Sequence, residues 1–286
     1  MENILTFAKE NCDSFKVIST SSNEVRKFEF DGKEYVLKTP LMVGDNLSPF
    51  WLMMKNIFDF SFERQNVNFE MTYNLLKTNP HISVVPFIAG DAKAMIFEHV
   101  QGDIVDGDDF PEGENNAYKL GQYVGYNHQK KYAYCGLVGK NNISDFFPKA
   151  LAHMENVISD YWDGDEKADK IVRECYARIR DNEYKSAGYS PIMVDICADQ
   201  FMYKNSDVIS CIDLDAYVIG PVEWELSFLH TQIKDWESFC KGYENYQPVP
   251  EFSGMSEFFF LLMALNSYHN KSEICEYWSR YLQKTI

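Results

Sequence analysis

"IMVDICADQFMYKNSDVISCIDLDAYVIGPVEWELSFL", residues 192–229, decides how the rest of the chain is read. It holds two short β-branched runs, the first leading to a lone Asp195 and the second to the pair Asp213 and Asp215. Carboxylates at the ends of short apolar strands sit where buried backbone gives way to loop, which suits them to work at a cleft. A Gly220–Pro221 turn follows, and "PVEWELSFLHTQIKDWESFCKGYENY" then reads as helical, as does the apolar "SEFFFLLMALNSYH".

Upstream, the first hundred residues read mainly as strands. "FKVIST", "VRKFEF" and "KEYVLKT" alternate, and the Asp31–Gly32 step between the last two predicts a tight hairpin in a small antiparallel sheet. From "SPFWLMMKNIF" to about Lys77 apolar residues recur at three and four, which predicts one or two helices, and "ISVVPFIAG" and "AKAMIFEHV" return to strand character. After about Gly102 helical periodicity dominates in "AYKLGQYVGYNHQKKY", "SDFFPKALAHMENVISDYW" and "EKADKIVRECYARIRDNEY". The expected fold class is α+β: a strand-rich lobe over residues 1–100, a mainly helical lobe over 101–286, and a ligand cleft between them.

Composition narrows the function. The 286 residues are 45% hydrophobic, enough to fill a substantial core, and 15% aromatic, which supplies rigid surface for stacking on planar ligands. With 43 acidic against 27 basic side chains the formal net charge is −16, which disfavours nucleic acid and anionic lipid and favours cations. The apolar run 258–265 is too short to cross a bilayer and the N-terminus lacks a signal-like pattern, so a soluble, cytoplasmic protein is expected. Seven scattered cysteines without a CxxC spacing predict neither a disulfide framework nor a zinc site.

Six segments in order resemble the aminoglycoside phosphotransferase and choline kinase-like family, which has the two-lobed protein-kinase-like fold. "STSSNEVRKFEFDGKEYVLKT" resembles the nucleotide-covering hairpin and lysine strand, "NFEMTYNLL" the glutamate helix and "MIFEHVQGD" the interlobe hinge. "LGQYVGYNHQ" resembles the LGxxLAxLH helix, "VDICADQFMYKN" the catalytic loop and "CIDLDAYVIGPVEWEL" the metal-binding segment. The resemblance implies a small-molecule kinase that uses Mg²⁺ and ATP or GTP to phosphorylate a hydroxyl of a small substrate. The acidic balance favours a cationic acceptor: an amino sugar, an aminoglycoside or a choline-like amine.

The same resemblance assigns roles. Lys38 holds the nucleotide phosphates, Glu70 orients it from the facing helix with Glu63 as the alternative, and Ser22 and Asn23 of the glycine-free hairpin tip donate to phosphate. Glu98 and Val100 meet the adenine edge through their backbone. Asp195 is the candidate catalytic base, and Asp213 and Gln200 are the candidate metal ligands. Asp215 either supports a ligand or caps a loop, Asp199 is either a substrate contact or a solvated turn residue, and Glu225 braces the catalytic loop. His128 reads as a satisfied core histidine.

The family pattern HGDxxxxN is altered, with Met193 and Val194 before the aspartate and Gln200 in place of the asparagine. These departures motivate the alternative of a pseudokinase that binds nucleotide or another ligand without transfer. The apolar "SPFWLMMKNIFDF" makes the 41–69 stretch long for the family; core packing is the favoured reading, with capping of the small lobe or binding of a partner as alternatives.

Overall fold

The computed structural model describes residues 3–42, 47–113, 115–140, 146–160 and 166–267. The chain runs α1 (Ile4–Asn11), β1 (Lys16–Thr20), β2 (Asn23–Phe30), β3 (Lys33–Pro40), α2 (Pro49–Phe58), α3 (Gln65–Leu76), β4 (Ser83–Val84), β5 (Phe87–Asp91) and β6 (Ala94–Glu98). It continues with β7 (Asp103–Ile104), α4 (Asn116–His128), β8 (Gly136–Leu137), α5 (Phe146–Asp160), α6 (Glu166–Ile179), β9 (Tyr189–Met193), β10 (Phe201–Lys204), β11 (Asp207–Cys211), β12 (Tyr217–Pro221), α7 (Val222–Gln232), α8 (Trp236–Tyr243) and α9 (Ser253–Ser267).

The first sheet is antiparallel with five strands in the order β1-β2-β3-β6-β5. Asp31 and Gly32 take φ of 49° and 73°, the left-handed pair that a tight hairpin between right-twisted strands requires, and β2 pairs with β3 in register from Phe30–Lys33 to Asn23–Pro40. Alternation along each strand separates the two faces. Leu37, Ala94 and Ile96 pack under α1 with Ala8 and Phe28, and Phe15 stacks on Phe28 with ring centroids 4.6 Å apart. The intervening residues Val36, Met95 and Phe97 face the other way, onto Phe69 of α3, whose ring lies 4.7 Å from that of Phe97. Lys38 shares that second face, so strand parity turns it toward Asp213 and Asp215.

Pro86 divides what reads in sequence as one strand. Lacking an N–H, it cannot continue a ladder. The residues before it form β4, which runs parallel to β11 with Val84 opposite Cys211, while those after it form β5 in the first sheet. The β10–β11 hairpin thereby joins a four-stranded sheet, β4-β11-β10-β7, and β9 and β12 form a third sheet with β8. The helical stretch after Pro221 likewise divides: Asp235 breaks it and caps α8 by accepting the Ser238 N–H at 3.0 Å.

α2 follows β3 in sequence but packs against α5, α9 and β8. Trp51, Met53, Met54, Ile57 and Phe58 are buried there, with the Phe58 ring 6.0 Å from Phe146 and 6.2 Å from Trp224. Asn56 reaches His153 Nδ1 on α5 at 3.3 Å, and His153 Nε2 meets Asn266 Oδ1 on α9 at 2.8 Å. The apolar stretch is therefore core, and the core it enters is that of the helical half. α4 and α8 press together through glycines: a methyl group at Gly121 would collide with the Phe239 carbonyl, and one at Gly242 with the Tyr118 carbonyl. This contact fixes the helix that carries His128 behind β9 and the loop after it.

Candidate active site

Residues 194–200 leave β9 and are held from three sides. Glu225, in the first turn of α7, accepts the Met193 N–H at 2.8 Å and lies 2.7 Å from His128 Nε2, whose Nδ1 is 3.0 Å from the Tyr243 hydroxyl. Gln232 Nε2, at the far end of α7, donates to the Ile196 carbonyl at 2.9 Å. The Ala198 N–H donates to the Asp108 carbonyl at 3.2 Å, which ties in the acidic stretch after β7. Met193 and Val194 are fully buried in the core, so the two departures from the family pattern fill space with apolar packing.

Asp195 is half-buried at the start of this loop. Burial, then the negative charges of Asp213 and Asp199, raise its carboxyl well above the usual carboxylate range. Cys197 Sγ donates to the Asp195 carbonyl at 3.1 Å and lies 2.9 Å from Asp199 Oδ1, and Gln200 Nε2 reaches Cys197 Sγ at 3.6 Å. Ile212 N–H donates to the Gln200 carbonyl at 2.9 Å, so Gln200 and Asp213 emerge side by side from the β10–β11 hairpin.

Lys38 Nζ lies 3.1 and 3.2 Å from the two Asp213 oxygens and is also bonded to Asp215 Oδ2. Burial alone would lower its pKa, but the two carboxylates outweigh burial and hold it above the ordinary lysine value. The Asp213 side chain is 37% exposed and that of Asp215 only 3%, so one carboxylate is open to solvent and the other is enclosed. The Asp215 N–H donates to Asp213 Oδ1 at 3.1 Å, which fixes the two relative to each other.

Two expected partners stand elsewhere. Glu70 is exposed on α3 and Glu63 is exposed just before it; the carboxylates on Lys38 come from Asp213 and Asp215 instead. The α3 residue that reaches the site is Gln65, 1% exposed, donating from Nε2 to Asp215 Oδ2 at 2.8 Å and to Asn23 Oδ1 at 3.2 Å. Asn23 is consequently buried and turned toward α3, with its Nδ2 on the half-buried Ser22 Oγ at 3.4 Å, instead of offering its amide to a phosphate. A search for acidic partners alone passes over Gln65; its position at the start of the helix facing β3 is the signal that would have found it.

At the hinge, the Glu98 N–H donates to the Pro86 carbonyl at 3.0 Å and the His99 N–H to the Glu34 carbonyl at 3.1 Å. The Val100 N–H has no partner among the described residues, and the Glu98 side chain points to solvent. A hollow of about 500 Å³ between the start of α4 and the α7–α8 connection is lined by none of the expected site residues.

The residues present suit a magnesium nucleotide. A hard cation that keeps several waters needs only one or two protein oxygens beside the phosphates. Asp213 offers a partly exposed carboxylate, and the Gln200 backbone pairs with that of its neighbour Ile212. Asp215 Oδ1 and Gln65 Oε1 are buried acceptors without hydrogen-bond partners among the described residues, consistent with a site built for more cation than Lys38 alone. Among the described residues no group of three or more His, Cys, Asp or Glu side chains forms a metal cluster.

No protein-family model matches the chain, and no curated protein matches it in sequence. Solved structures do match it over nearly its whole length. Macrolide 2′-phosphotransferase MphH from Brachybacterium faecium superposes with a TM-score of 0.64 at 11% identity, covering 98% of this chain and 97% of the other. Aminoglycoside phosphotransferase APH(4)-Ia gives 0.62 at 14% identity, covering 99% and 97%. Amicoumacin kinase hAmiN, in complex with AMP-PNP, Ca²⁺ and amicoumacin, gives 0.57 at 14% identity, covering 100% and 94%. The chain therefore has the two-lobed protein-kinase-like fold in the form shared by these small-molecule phosphotransferases.

Proposed function

We propose that the protein is a kinase that transfers the γ-phosphate of ATP or GTP to a hydroxyl of a small, cationic substrate. The observation that supports this reading is that Lys38 bonds both oxygens of Asp213 across the fold, with Asp195 close enough to feel the Asp213 charge. Asp213 and the Gln200 amide oxygen would hold Mg²⁺, which supplies charge neutralisation at the phosphates. Lys38 exchanges its bond to Asp213 for the nucleotide phosphates. The Val100 N–H and the backbone of Glu98 serve the base edge. Asp195 orients the acceptor hydroxyl and takes its proton as the new oxygen–phosphorus bond forms and the nucleoside diphosphate leaves. A raised carboxyl pKa makes Asp195 a stronger base than an exposed aspartate.

The acceptor class follows from charge. Partial burial raises the Asp199 carboxyl, the Cys197 S–H lowers it, and the nearby charges of Asp108, Asp213 and Asp106 add to the rise. A negative field of that kind beside the base attracts an amine-bearing alcohol and repels an acidic one. Amino sugars, aminoglycosides and choline-like amines fit it.

One observation favours a pseudokinase as the second reading: Lys38 occupies both oxygens of the candidate metal ligand. Nucleoside diphosphate release, measured across a panel of amino sugars, aminocyclitols and choline-like amines against neutral and acidic alcohols, separates the two. Turnover confined to cationic acceptors, and rising with pH as Asp195 loses its proton, is the expected result. Nucleotide binding without release for any acceptor would favour the second reading.

A further inference from the structure

The α3 side chain that meets the phosphate-binding lysine network is neutral. Gln65 Nε2 lies 2.8 Å from Asp215 Oδ2, the same oxygen that Lys38 Nζ engages, and 3.2 Å from Asn23 Oδ1 on β2. An amide can donate to a carboxylate, whereas a glutamate at this position would set a second buried negative charge beside Asp215. The acidic residues of this region, Glu63 and Glu70, are exposed. The two carboxylates on Lys38 also differ in what they are free to do. Asp213 is partly exposed to solvent, but Asp215 is enclosed and stays with the lysine. β3, α3 and the segment after β11 thus meet on a single oxygen, and β2 joins them through the Gln65 amide.

We infer that Asp215, held by Gln65, is the residue that positions Lys38 for the nucleotide phosphates, in place of a carboxylate on α3. The functional half rests on the kinase reading, while the network itself stands independently of it. With Asp215 present, Lys38 keeps its place when a metal ion draws Asp213 away. Without it, Lys38 follows Asp213 and competes with the metal.

Steady-state kinetics of Asp215→Asn and Gln65→Glu test the functional half. Asp215→Asn is expected to lower kcat by about 10–100-fold, the scale of a misplaced group near the reaction, with nucleotide KM changed by less than about threefold. Gln65→Glu is expected to lower kcat as well, because the added charge faces Asp215. A rise in kcat for Gln65→Glu, or a fall for Glu70→Gln matching that for Asp215→Asn, would overturn the assignment by showing that an α3 carboxylate is wanted.

A thermal-unfolding double-mutant cycle of Lys38→Met with Asp215→Asn, beside one of Lys38→Met with Glu70→Gln, needs no substrate. Coupling to Asp215 that clearly exceeds coupling to Glu70 sustains the network, and equal couplings overturn it. A protein that binds no nucleotide and transfers no phosphate would fail as a kinase and still answer the cycle.

Discussion

On the kinase reading Asp195→Asn is expected to lower phosphate transfer by about 10²–10⁴-fold, the usual contribution of a positioned proton acceptor, and to melt at a higher temperature than the wild type at neutral pH. Both effects come from one cause. The Asp195 carboxyl is raised by burial and by Asp213 and Asp199, whereas the same group in the unfolded chain titrates near about 3.9. Below that value both states are protonated and the aspartate has no electrostatic cost. As pH rises the unfolded chain releases its proton first, so stability falls until the folded-state group has also ionised. Asparagine cannot ionise and removes that deficit. A higher Tm than the wild type is expected at pH 7.5 in EDTA, with the gain shrinking toward zero near pH 4. Scanning calorimetry at the two pH values checks it, and a lower Tm at neutral pH would remove the case for a strained, functional carboxylate.

Lys38→Met is expected to have the second large effect. It strips the buried Asp215 of its cation and leaves the Gln65 amide as its hydrogen-bond donor from α3. Breaking one side of a buried ion pair costs about 3–5 kcal/mol, because the remaining charge has no compensation. Since Asp213 is partly exposed, most of that cost falls on Asp215. The variant is expected to melt roughly 6–12 °C lower and to lose at least about 10²-fold in kcat, as removal of a preorganised phosphate-binding charge does. Chemical denaturation followed by tryptophan fluorescence measures the first effect and nucleoside diphosphate release the second. A variant as stable as wild type would mean that the Lys38–Asp215 bond is not part of the folded protein in solution.

Much of this arrangement was legible in the sequence, because period-2 patterning and local turn chemistry determine it. The Asp31–Gly32 hairpin, the face of the sheet that Lys38 takes and the emergence of Asp195 and Asp213 from strand ends all follow from such rules. Glu225 was readable as the brace of the catalytic loop, and the structure has it bonded to the Met193 N–H. His128 was readable as a core histidine, and it is fully buried between Glu225 and Tyr243. What periodicity does not carry is which partner a side chain selects across the fold. Glu70 lies on a helix that faces the right strand, but at a position turned to solvent. Gln65 was passed over because a neutral amide carries no charge signal. Asn23 reads as a hairpin-tip donor, and only the tertiary position of Gln65 turns it inward. The destination of α2 was equally hidden: its apolar face requires burial, but either half of the molecule could have supplied it.

In the proposed kinase a magnesium nucleotide is held through Asp213. Calorimetric titration of ATP and GTP into the wild type and Asp213→Asn, with Mg²⁺ and then with EDTA, tests it most directly. Binding by the wild type that depends on Mg²⁺, and that falls by at least about tenfold in affinity in the variant, is the predicted result. Absence of binding by either nucleotide under all conditions, or binding indifferent to both the metal and Asp213, would contradict it.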